Sequence, residues 1–151
     1  MRQRDIDTQF GWLTVTEDAG AIVRLSWGQS GCDDRTEVLD AAIAQLAEYD
    51  TGTRERFDLP LAVRGSRLQQ QVCDAMRAIP FGHTTTYGDI AKQLGVPAQA
   101  IGQACGGNPI PVIIPCHRVI GAKGLTGFSG ASGVETKVAL LRHERAGGYL
   151  I

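Results

Sequence analysis

Residues 108–119 restrict the fold most, because three prolines interrupt a strongly apolar segment. The segment reads Asn108-Pro109-Ile110-Pro111-Val112-Ile113-Ile114-Pro115-Cys116-His117-Arg118-Val119. Proline has no backbone N–H to donate, so the run is predicted to be extended rather than helical. It ends by presenting a thiol with an imidazole and a guanidinium beside it. Cys116 is therefore a candidate nucleophile whose ionisation can be tuned.

Length and cysteine content limit the class of protein. A chain of 151 residues with 43% hydrophobic composition can bury one core, or one core and a small satellite lobe. No apolar run is long enough for a membrane span or a secretory signal, so we expect a cytosolic protein. The cysteines lack C-x-x-C spacing, which predicts free thiols rather than a disulfide framework or a zinc ribbon. They are Cys32, Cys73, Cys105 and Cys116.

Charge is distributed unevenly along the chain, although the net charge is only −1. Residues 1–63 contain six arginines and twelve acidic residues, whereas residues 64–151 contain nine basic and four acidic residues. The half that carries Cys116 therefore offers a modest basic surface for phosphates. Ordinary solvent-exposed charges that are unevenly distributed by chance would give the same counts. Charge alone therefore does not identify DNA as a partner.

Residues 1–63 are predicted to form an N-terminal lobe. Alternating apolar and polar residues at 10–17 and 21–27 predict a β-hairpin around a glycine-containing turn. Helical spacing at 36–49, with Thr36 or Asp34 as the N-cap, predicts a helix that covers one face of this sheet. Residues 57–63 are expected to be extended and could add a last strand.

Residues 64–151 are predicted to form a mostly helical second domain. Ser66 caps a helix that ends near Pro80, and Thr86 caps a short helix at 87–94. A second short helix at about 98–106 follows a turn that contains Gly95, which is typical of a helix-turn-helix whose second helix reads DNA. Helix pairs inside protein cores share this pattern, so it is weak alone. After a glycine-rich loop at 121–133, a helix at 135–144 closes the chain.

The helix at 98–106 has almost no side-chain bulk. Glycine inside a helix costs about 1 kcal/mol relative to alanine, so the small residues need a compensating contact. Close approach to the walls of a nucleic-acid groove would supply one. Close packing against another helix of the same domain would supply one equally well.

A cysteine nucleophile needs a base or a positive field, since few thiols are ionised at neutral pH. His117 is the nearest base, but adjacent side chains of an extended segment point apart, so a bridging water or a turn is required. A carboxylate would fix the imidazole tautomer, and the candidates in the second domain are Glu135 and Glu144. Glu144 follows Leu140-Leu141 by one helical turn, so it can face the core. A buried core thiol is the simpler explanation of Cys116 taken alone.

Motifs along nearly the whole chain resemble those of the O6-alkylguanine-DNA alkyltransferase family. They are Phe57-Asp58-Leu59-Pro60-Leu61, Gln69-Gln70-Gln71-Val72, Ile79-Pro80-Phe81-Gly82, Thr86-Tyr87-Gly88-Asp89-Ile90-Ala91, Gly107-Asn108-Pro109, Pro115-Cys116-His117-Arg118-Val119, Gly127-Phe128-Ser129-Gly130, and Lys137 with Leu140-Leu141-Arg142-His143-Glu144. The resemblance implies an α+β fold. In it, a small N-terminal β-sheet lobe with a helix precedes a mostly helical domain with a winged-helix-like helix-turn-helix.

The resemblance also implies single-turnover DNA repair, in which the protein takes an alkyl group from O6-alkylguanine and is consumed. Cys116 would attack the alkyl carbon, His117 would deprotonate it through a water, and Glu144 would orient His117. Asn108 would tie the recognition helix to the cysteine loop, and Tyr87 would donate to N3 of the departing guanine.

Further residues acquire implied roles in binding. Ser129 would bind O6 of the base, and the Cys116 and Val119 carbonyls would accept its exocyclic amine. The remaining residues implied around the base are Pro111, Phe128 and Lys137. The residues implied to contact DNA are Gln99, Ala98, Ala100, Gly102 and Arg118. The expected partner is double-stranded DNA bound by a monomer, with no cofactor and no metal.

Three positions depart from the family pattern. Gln99 replaces the arginine that fills the gap left by a flipped nucleotide, Phe128 replaces a tyrosine, and Cys73 replaces a common tryptophan. Two other functions remain open at this point. The first is a non-catalytic alkyltransferase-like protein that binds and flips the damaged base, and the second is a thiol hydrolase with a Cys-His-Glu triad.

Overall fold

Residues 1–121 and 133–146 are described by the computed structural model. Contacts divide the chain into two units, Met1–Arg64 and Gly65–Ile151. The first unit is a sheet with one helix, and the second is mostly helical. The α+β expectation is therefore confirmed. Within the described ranges, no helix is long and apolar enough to cross a membrane.

The first unit contains a three-stranded antiparallel sheet in the order β1 (Arg2–Thr8), β2 (Gly11–Asp18) and β3 (Ala21–Trp27). The predicted hairpin is β2–β3, and its two-residue turn has positive φ at Ala19 and Gly20, which suits the twist of paired strands. Helix α1 (Glu37–Thr51) begins after Thr36, whose side chain accepts from the Leu39 amide. The buried core residues include Leu13, Val15, Ile22, Leu25, Leu39, Ala42, Leu46 and Tyr49.

Strand β1 was not predicted, because its sequence is polar on both faces. Only Ile6 is apolar within the strand, and Arg4 makes ion pairs with Asp33 and Asp40. Conversely, the segment at 57–63, which could have added a last strand, does not form one. It meets β3 through a single parallel bridge between Ile22 and Leu61.

The second unit begins with helix α2 (Arg67–Arg77), capped by Ser66 as predicted. The short strand β4 (Thr85–Thr86) leads into α3 (Tyr87–Leu94), and α4 (Ala98–Gly106) follows a turn in which Gly95 has φ of +68°. A 3₁₀ turn (Cys116–Arg118), strand β5 (Val119–Ile120) and helix α5 (Val134–His143) complete the order. The buried core residues include Val72, Met76, Ile90, Ile101, Ile110, Ile114, Leu140 and Leu141.

Strands β4 and β5 pair in parallel, with Thr85 opposite Val119 and Thr86 opposite Ile120. Tyr87 follows β4 directly, whereas Cys116 precedes β5 by three residues. This short ladder therefore brings the start of α3 next to the segment that carries the candidate nucleophile.

Candidate active site

The loop before Cys116 is organised by Asn108. Its side-chain amide donates to the Ile114 carbonyl at 2.8 Å, and its side-chain oxygen accepts from the Ile110 amide at 3.0 Å. The Asn108 backbone amide donates to the Cys105 carbonyl at 3.2 Å, in the last turn of α4. One asparagine thus joins the end of α4 to the cysteine loop.

Two tight turns shape the same loop. The Ile113 amide donates to the Pro111 carbonyl at 2.9 Å, and the intervening Val112 has φ of +71°. A β-branched residue rarely adopts this left-handed conformation, so the turn is strained. The Cys116 amide then donates to the Ile114 carbonyl at 2.8 Å. The loop is therefore a pair of turns rather than the continuous extended run that the prolines suggested.

Cys116 lies at the start of the 3₁₀ turn and is only 7% exposed. Burial raises the pKa of its thiol, because a thiolate loses hydration inside the protein. A hydrogen bond from the Asn108 side chain and the positive charge of Lys137 oppose this effect. The surroundings thus offer the thiolate a donor and a cation, although the resting group is a thiol.

His117 and Glu144 form a fully buried pair. The His117 Nε2 and Glu144 Oε2 atoms are 2.7 Å apart, and neither side chain is exposed. Of the two carboxylates that the sequence left open, Glu135 is exposed on α5 and Glu144 is the one at the histidine. Burial alone would raise the pKa of Glu144, but hydrogen bonds from His117 and Arg118 lower it to about 2.

The carboxylate fixes the tautomer of His117. Because Glu144 is ionised and can only accept, the proton of a neutral imidazole must be on Nε2. Burial lowers the pKa of His117 despite the hydrogen bond to Glu144, so the ring is neutral near pH 7. Nδ1, which has no hydrogen-bond partner in the described part of the protein, then carries the free lone pair. His117 is arranged to accept a proton through Nδ1.

Arg118 points inward, contrary to the DNA contact expected for it. Its Nε and Nη2 atoms donate to the two Glu144 oxygens at 2.8 and 3.0 Å, and Nη1 donates to the Ile79 carbonyl at 2.7 Å. Its guanidinium also lies 5.8 Å from the centre of the Phe81 ring. A guanidinium engaged in this way is not available to phosphates. Arg118 instead neutralises and orients Glu144, which the sequence reading missed.

Lys137 is another buried cation, with 1% exposure. Its Nζ donates to the Val119 carbonyl at 2.6 Å and lies 5.7 Å from the centre of the Tyr87 ring. Burial lowers the pKa of Lys137, and the negative charge that Cys116 carries as a thiolate opposes that shift. Burial also raises the pKa of Tyr87 to about 12, so its phenol stays protonated and can donate a hydrogen bond. Cys116, Tyr87, Lys137 and Val119 therefore share one neighbourhood.

Helix α4 has a bare exposed face. Ala98 and Gln99 are exposed, Ala100 and Gly102 are half-buried, and Gln103 is exposed one turn beyond Gln99. A Cβ atom built on Gly102 or Gly106 would meet nothing within 4 Å outside the helix's own backbone. Close packing within the described protein is therefore not what requires these two glycines. Close approach of another molecule, the other explanation for the small residues of α4, agrees with this exposed face.

Some of the predicted base-binding residues cannot be placed. Ser129 and Phe128 lie in the glycine-rich loop at 122–132, outside the described residues. Pro111 is half-buried in the loop before Cys116. The structure therefore brings together the five predicted catalytic residues with Val119 and Lys137.

Comparison with known proteins yields matches over most of the chain. Residues 67–146 match the family model described as 6-O-methylguanine DNA methyltransferase, DNA binding domain. A methylated-DNA–protein-cysteine methyltransferase of Mycolicibacterium paratuberculosis is 39% identical over 152 residues, covering 94% of this chain and 91% of the relative. The constitutive methylated-DNA–protein-cysteine methyltransferase of Bacillus subtilis is 39% identical and covers 92% of both chains.

A solved structure agrees at the level of the fold. The crystal structure of Mycobacterium tuberculosis OGT in complex with DNA superposes with a TM-score of 0.84 at 37% identity. The alignment covers 99% of this chain and 98% of the other.

Proposed function

The chain belongs to the 6-O-methylguanine DNA methyltransferase family, and from that premise we propose how its own residues act. It is a DNA repair enzyme that moves an alkyl group from DNA directly to one of its own cysteines. We assign that cysteine as Cys116 and the substrate as O6-alkylguanine in a duplex. The observation that carries the assignment is the buried His117–Glu144 pair beside Cys116.

The first step is removal of the thiol proton. We assign His117 Nδ1 as the acceptor, reached through one bridging water, because Nε2 is held by Glu144. Glu144 stays ionised, and it stabilises the imidazolium that forms. Arg118 keeps Glu144 ionised and fixed in place through two hydrogen bonds.

The second step is the transfer itself. The Cys116 thiolate attacks the alkyl carbon, a C–S bond forms, and the bond between that carbon and O6 breaks. The bonding electrons pass to the guanine, so a hydrogen-bond donor aimed at the ring lowers the barrier. We assign this donor as Tyr87, whose phenol is protonated at neutral pH. Because a thioether does not return to a thiolate, each molecule reacts once.

Binding to DNA is assigned to α4, with Gln99 entering the base stack where the target base swings out. Bases that undergo chemistry must leave the stack, and a side chain in the vacated space offsets part of the unstacking cost. The open space at Gly102 and Gly106 on the exposed side of α4 supports this assignment. A monomeric state and a cytoplasmic location stay predictions.

Intact-protein mass tests the proposal most directly. After incubation with a duplex that contains O6-methylguanine, we expect one methyl group per molecule, located on Cys116 by peptide mapping. Binding without any mass increase would favour a non-catalytic damage-recognition protein. Repeated turnover of an ester or amide would favour the thiol hydrolase.

A further inference from the structure

Gln69 connects two helices of the second unit through its side chain. It lies in the first turn of α2, where its backbone amide is capped by the Ser66 hydroxyl at 3.0 Å. Its side-chain amide donates to the Ala104 carbonyl in the last turn of α4 at 2.9 Å and also contacts the Cys73 sulfur at 3.5 Å. No role for Gln69 follows from the reaction itself, since it contacts neither Cys116 nor His117.

The bond from Gln69 completes the end of α4. The last carbonyls of a helix have no partner within the helix and need other donors. The Gly107 amide donates to the Gln103 carbonyl at 3.0 Å, and the Asn108 amide donates to the Cys105 carbonyl at 3.2 Å. The carbonyl between them, that of Ala104, receives the Gln69 side chain. Gln69 therefore acts as a C-cap supplied by a different helix.

Two glycines leave room for this side chain. A Cβ on Gly107 would lie 3.3 Å from the Gln69 Oε1 atom, although the φ of Gly107 is an ordinary −92°. A Cβ on Gly65 would lie 3.2 Å from Gln69 Cγ, at a backbone φ of +155°. The stem of Gln69 thus passes over one glycine, and its amide lies against another.

Helix α4 packs against α2 and α3 mainly through small side chains. It is nine residues long, which is too short to be stable alone, and Pro97 at its start provides no side-chain cap. Its buried residues are Ile101, Ala104 and Cys105, of which only Ile101 is large. A single hydrogen bond at its C-terminal end should therefore contribute more to the position of this helix than it would in a longer helix with larger buried side chains.

We propose that Gln69 is a positioning residue that holds the C-terminal end of α4 and thereby sets the rate of transfer from duplex DNA. This inference rests on the proposed function of α4 as the helix in the DNA groove. The cysteine loop keeps its own bonds, in which the Asn108 side chain donates to the Ile114 carbonyl and accepts from the Ile110 amide, and neither bond involves Gln69. The Asn108 backbone amide also donates to the Cys105 carbonyl at the end of α4, but the bonds that shape the cysteine loop do not run through Gln69. Loss of the Gln69 bond should therefore slow the approach to DNA far more than it changes the reactivity of the nucleophile.

The test compares Gln69→Glu with Gln71→Glu. Both add one negative charge to α2, but Gln71 is exposed, whereas Glu at position 69 would place a carboxylate without N–H donors against the Ala104 carbonyl. Two rates are measured for each variant. One is single-turnover transfer from an O6-methylguanine duplex, and the other is alkylation of Cys116 by iodoacetamide, which needs no DNA.

We expect Gln69→Glu to transfer from the duplex about 5- to 10-fold more slowly than Gln71→Glu, the factor that loss of one hydrogen bond implies. The rates at which iodoacetamide alkylates Cys116 in the two variants should agree within about twofold, which is less than the difference expected for duplex transfer. Equal duplex rates would overturn the inference. A parallel fall in both rates would also overturn it, because Gln69 would then support the nucleophile or the whole domain.

Two further measurements test the inference if Gln69→Glu does not fold or if the wild-type protein does not transfer an alkyl group. If Gln69→Glu does not fold, Gln69→Met retains the stem over Gly65 and removes only the amide. Absence of transfer by the wild-type protein would refute the proposed function instead, and the affinities of the two glutamate variants for an undamaged duplex would then test Gln69 alone. Weaker binding by Gln69→Glu than by Gln71→Glu supports the inference, and equal affinities overturn it.

The contact with Gly107 offers an independent check. Gly107→Ala should lower the midpoint of thermal unfolding in the wild-type background, because the new methyl group meets the Gln69 Oε1 atom. In a Gln69→Ala background this penalty should disappear, as for residues in direct contact. An equal fall of the midpoint in both backgrounds would show that the methyl group added by Gly107→Ala does not contact the Gln69 side chain.

Discussion

Arg118 and Glu144 form a bidentate ion pair inside the second unit, with Nε to Oε1 at 2.8 Å and Nη2 to Oε2 at 3.0 Å. The same Oε2 atom is 2.7 Å from the His117 Nε2 atom. One carboxylate therefore balances a buried guanidinium and orients the imidazole next to Cys116. The stability of the second unit and the proposed proton transfer therefore both depend on the Glu144 carboxylate.

Cys116→Ser should abolish alkyl transfer and leave duplex binding largely intact. An alcohol has a much higher pKa than a thiol, so the same imidazole cannot ionise it. Intact-protein mass and an equilibrium binding titration measure the two properties on one sample. Stoichiometric alkylation of this variant at Cys32, Cys73 or Cys105 would disprove the assignment.

Glu144→Gln should destabilise the protein by about 3 to 5 kcal/mol, because it leaves the buried Arg118 charge without its partner. Urea unfolding at neutral pH measures this loss. Glu135→Gln is the matched control on α5, since Glu135 is exposed, and its effect should stay within about 0.5 kcal/mol. Similar losses for the two variants would mean that the buried ion pair contributes little to stability.

The stabilisation from Glu144 should disappear in acid. Its pKa falls from an ordinary value of 4.5 to about 2 in the folded protein, where hydrogen bonds from His117 and Arg118 outweigh the effect of burial. The folded pKa is the lower one, so the contribution is complete above the unfolded pKa and is lost as the pH falls through the folded pKa. It amounts to about 3 kcal/mol.

Urea unfolding of the wild-type protein and of Glu144→Gln over a pH series checks this dependence. The difference in unfolding free energy between the two proteins should narrow between about pH 5 and pH 2. A constant difference across that range would show that the Glu144 pKa is not depressed.

Gln99→Arg should speed repair of duplex lesions. A guanidinium can stack in the vacated space and attract phosphate, which a neutral amide cannot do as well. The reaction with free O6-alkylguanine base should change little, because a free base needs no flipping. Single-turnover rates on both substrates measure the effect.

Gln103→Arg is the control for Gln99→Arg, because Gln103 is exposed one turn along α4 and gains the same charge. It should accelerate duplex repair less than Gln99→Arg does. Equal gains from the two variants would attribute the effect to net charge alone. No gain from Gln99→Arg would show that glutamine already fills the stack adequately.

Local sequence patterns were sufficient to predict most helices and strands of the fold. Side-chain caps at Thr36, Ser66 and Thr86 begin the helices that the hydrophobic spacing predicted. These signals act within one or two turns of the chain, so they can be read without the tertiary structure. Strand β1 escaped prediction because its sequence is polar on both faces. It pairs with the adjacent strand β2 and is also held by residues far along the chain, such as Asp33.

The sequence by itself also determined the candidate nucleophile and its base, because Cys116 and His117 are adjacent. The resemblance already named Glu144 as the partner of His117. Only the tertiary structure shows their contact, the inward position of Arg118 and the bond from Gln69 to α4. Each of these contacts pairs polar groups about 26 to 35 residues apart. A buried polar group must find a partner or lose the hydrogen bonds that water would supply. Which partner it finds depends on how the helices pack, and that information is not present in any local stretch of the chain.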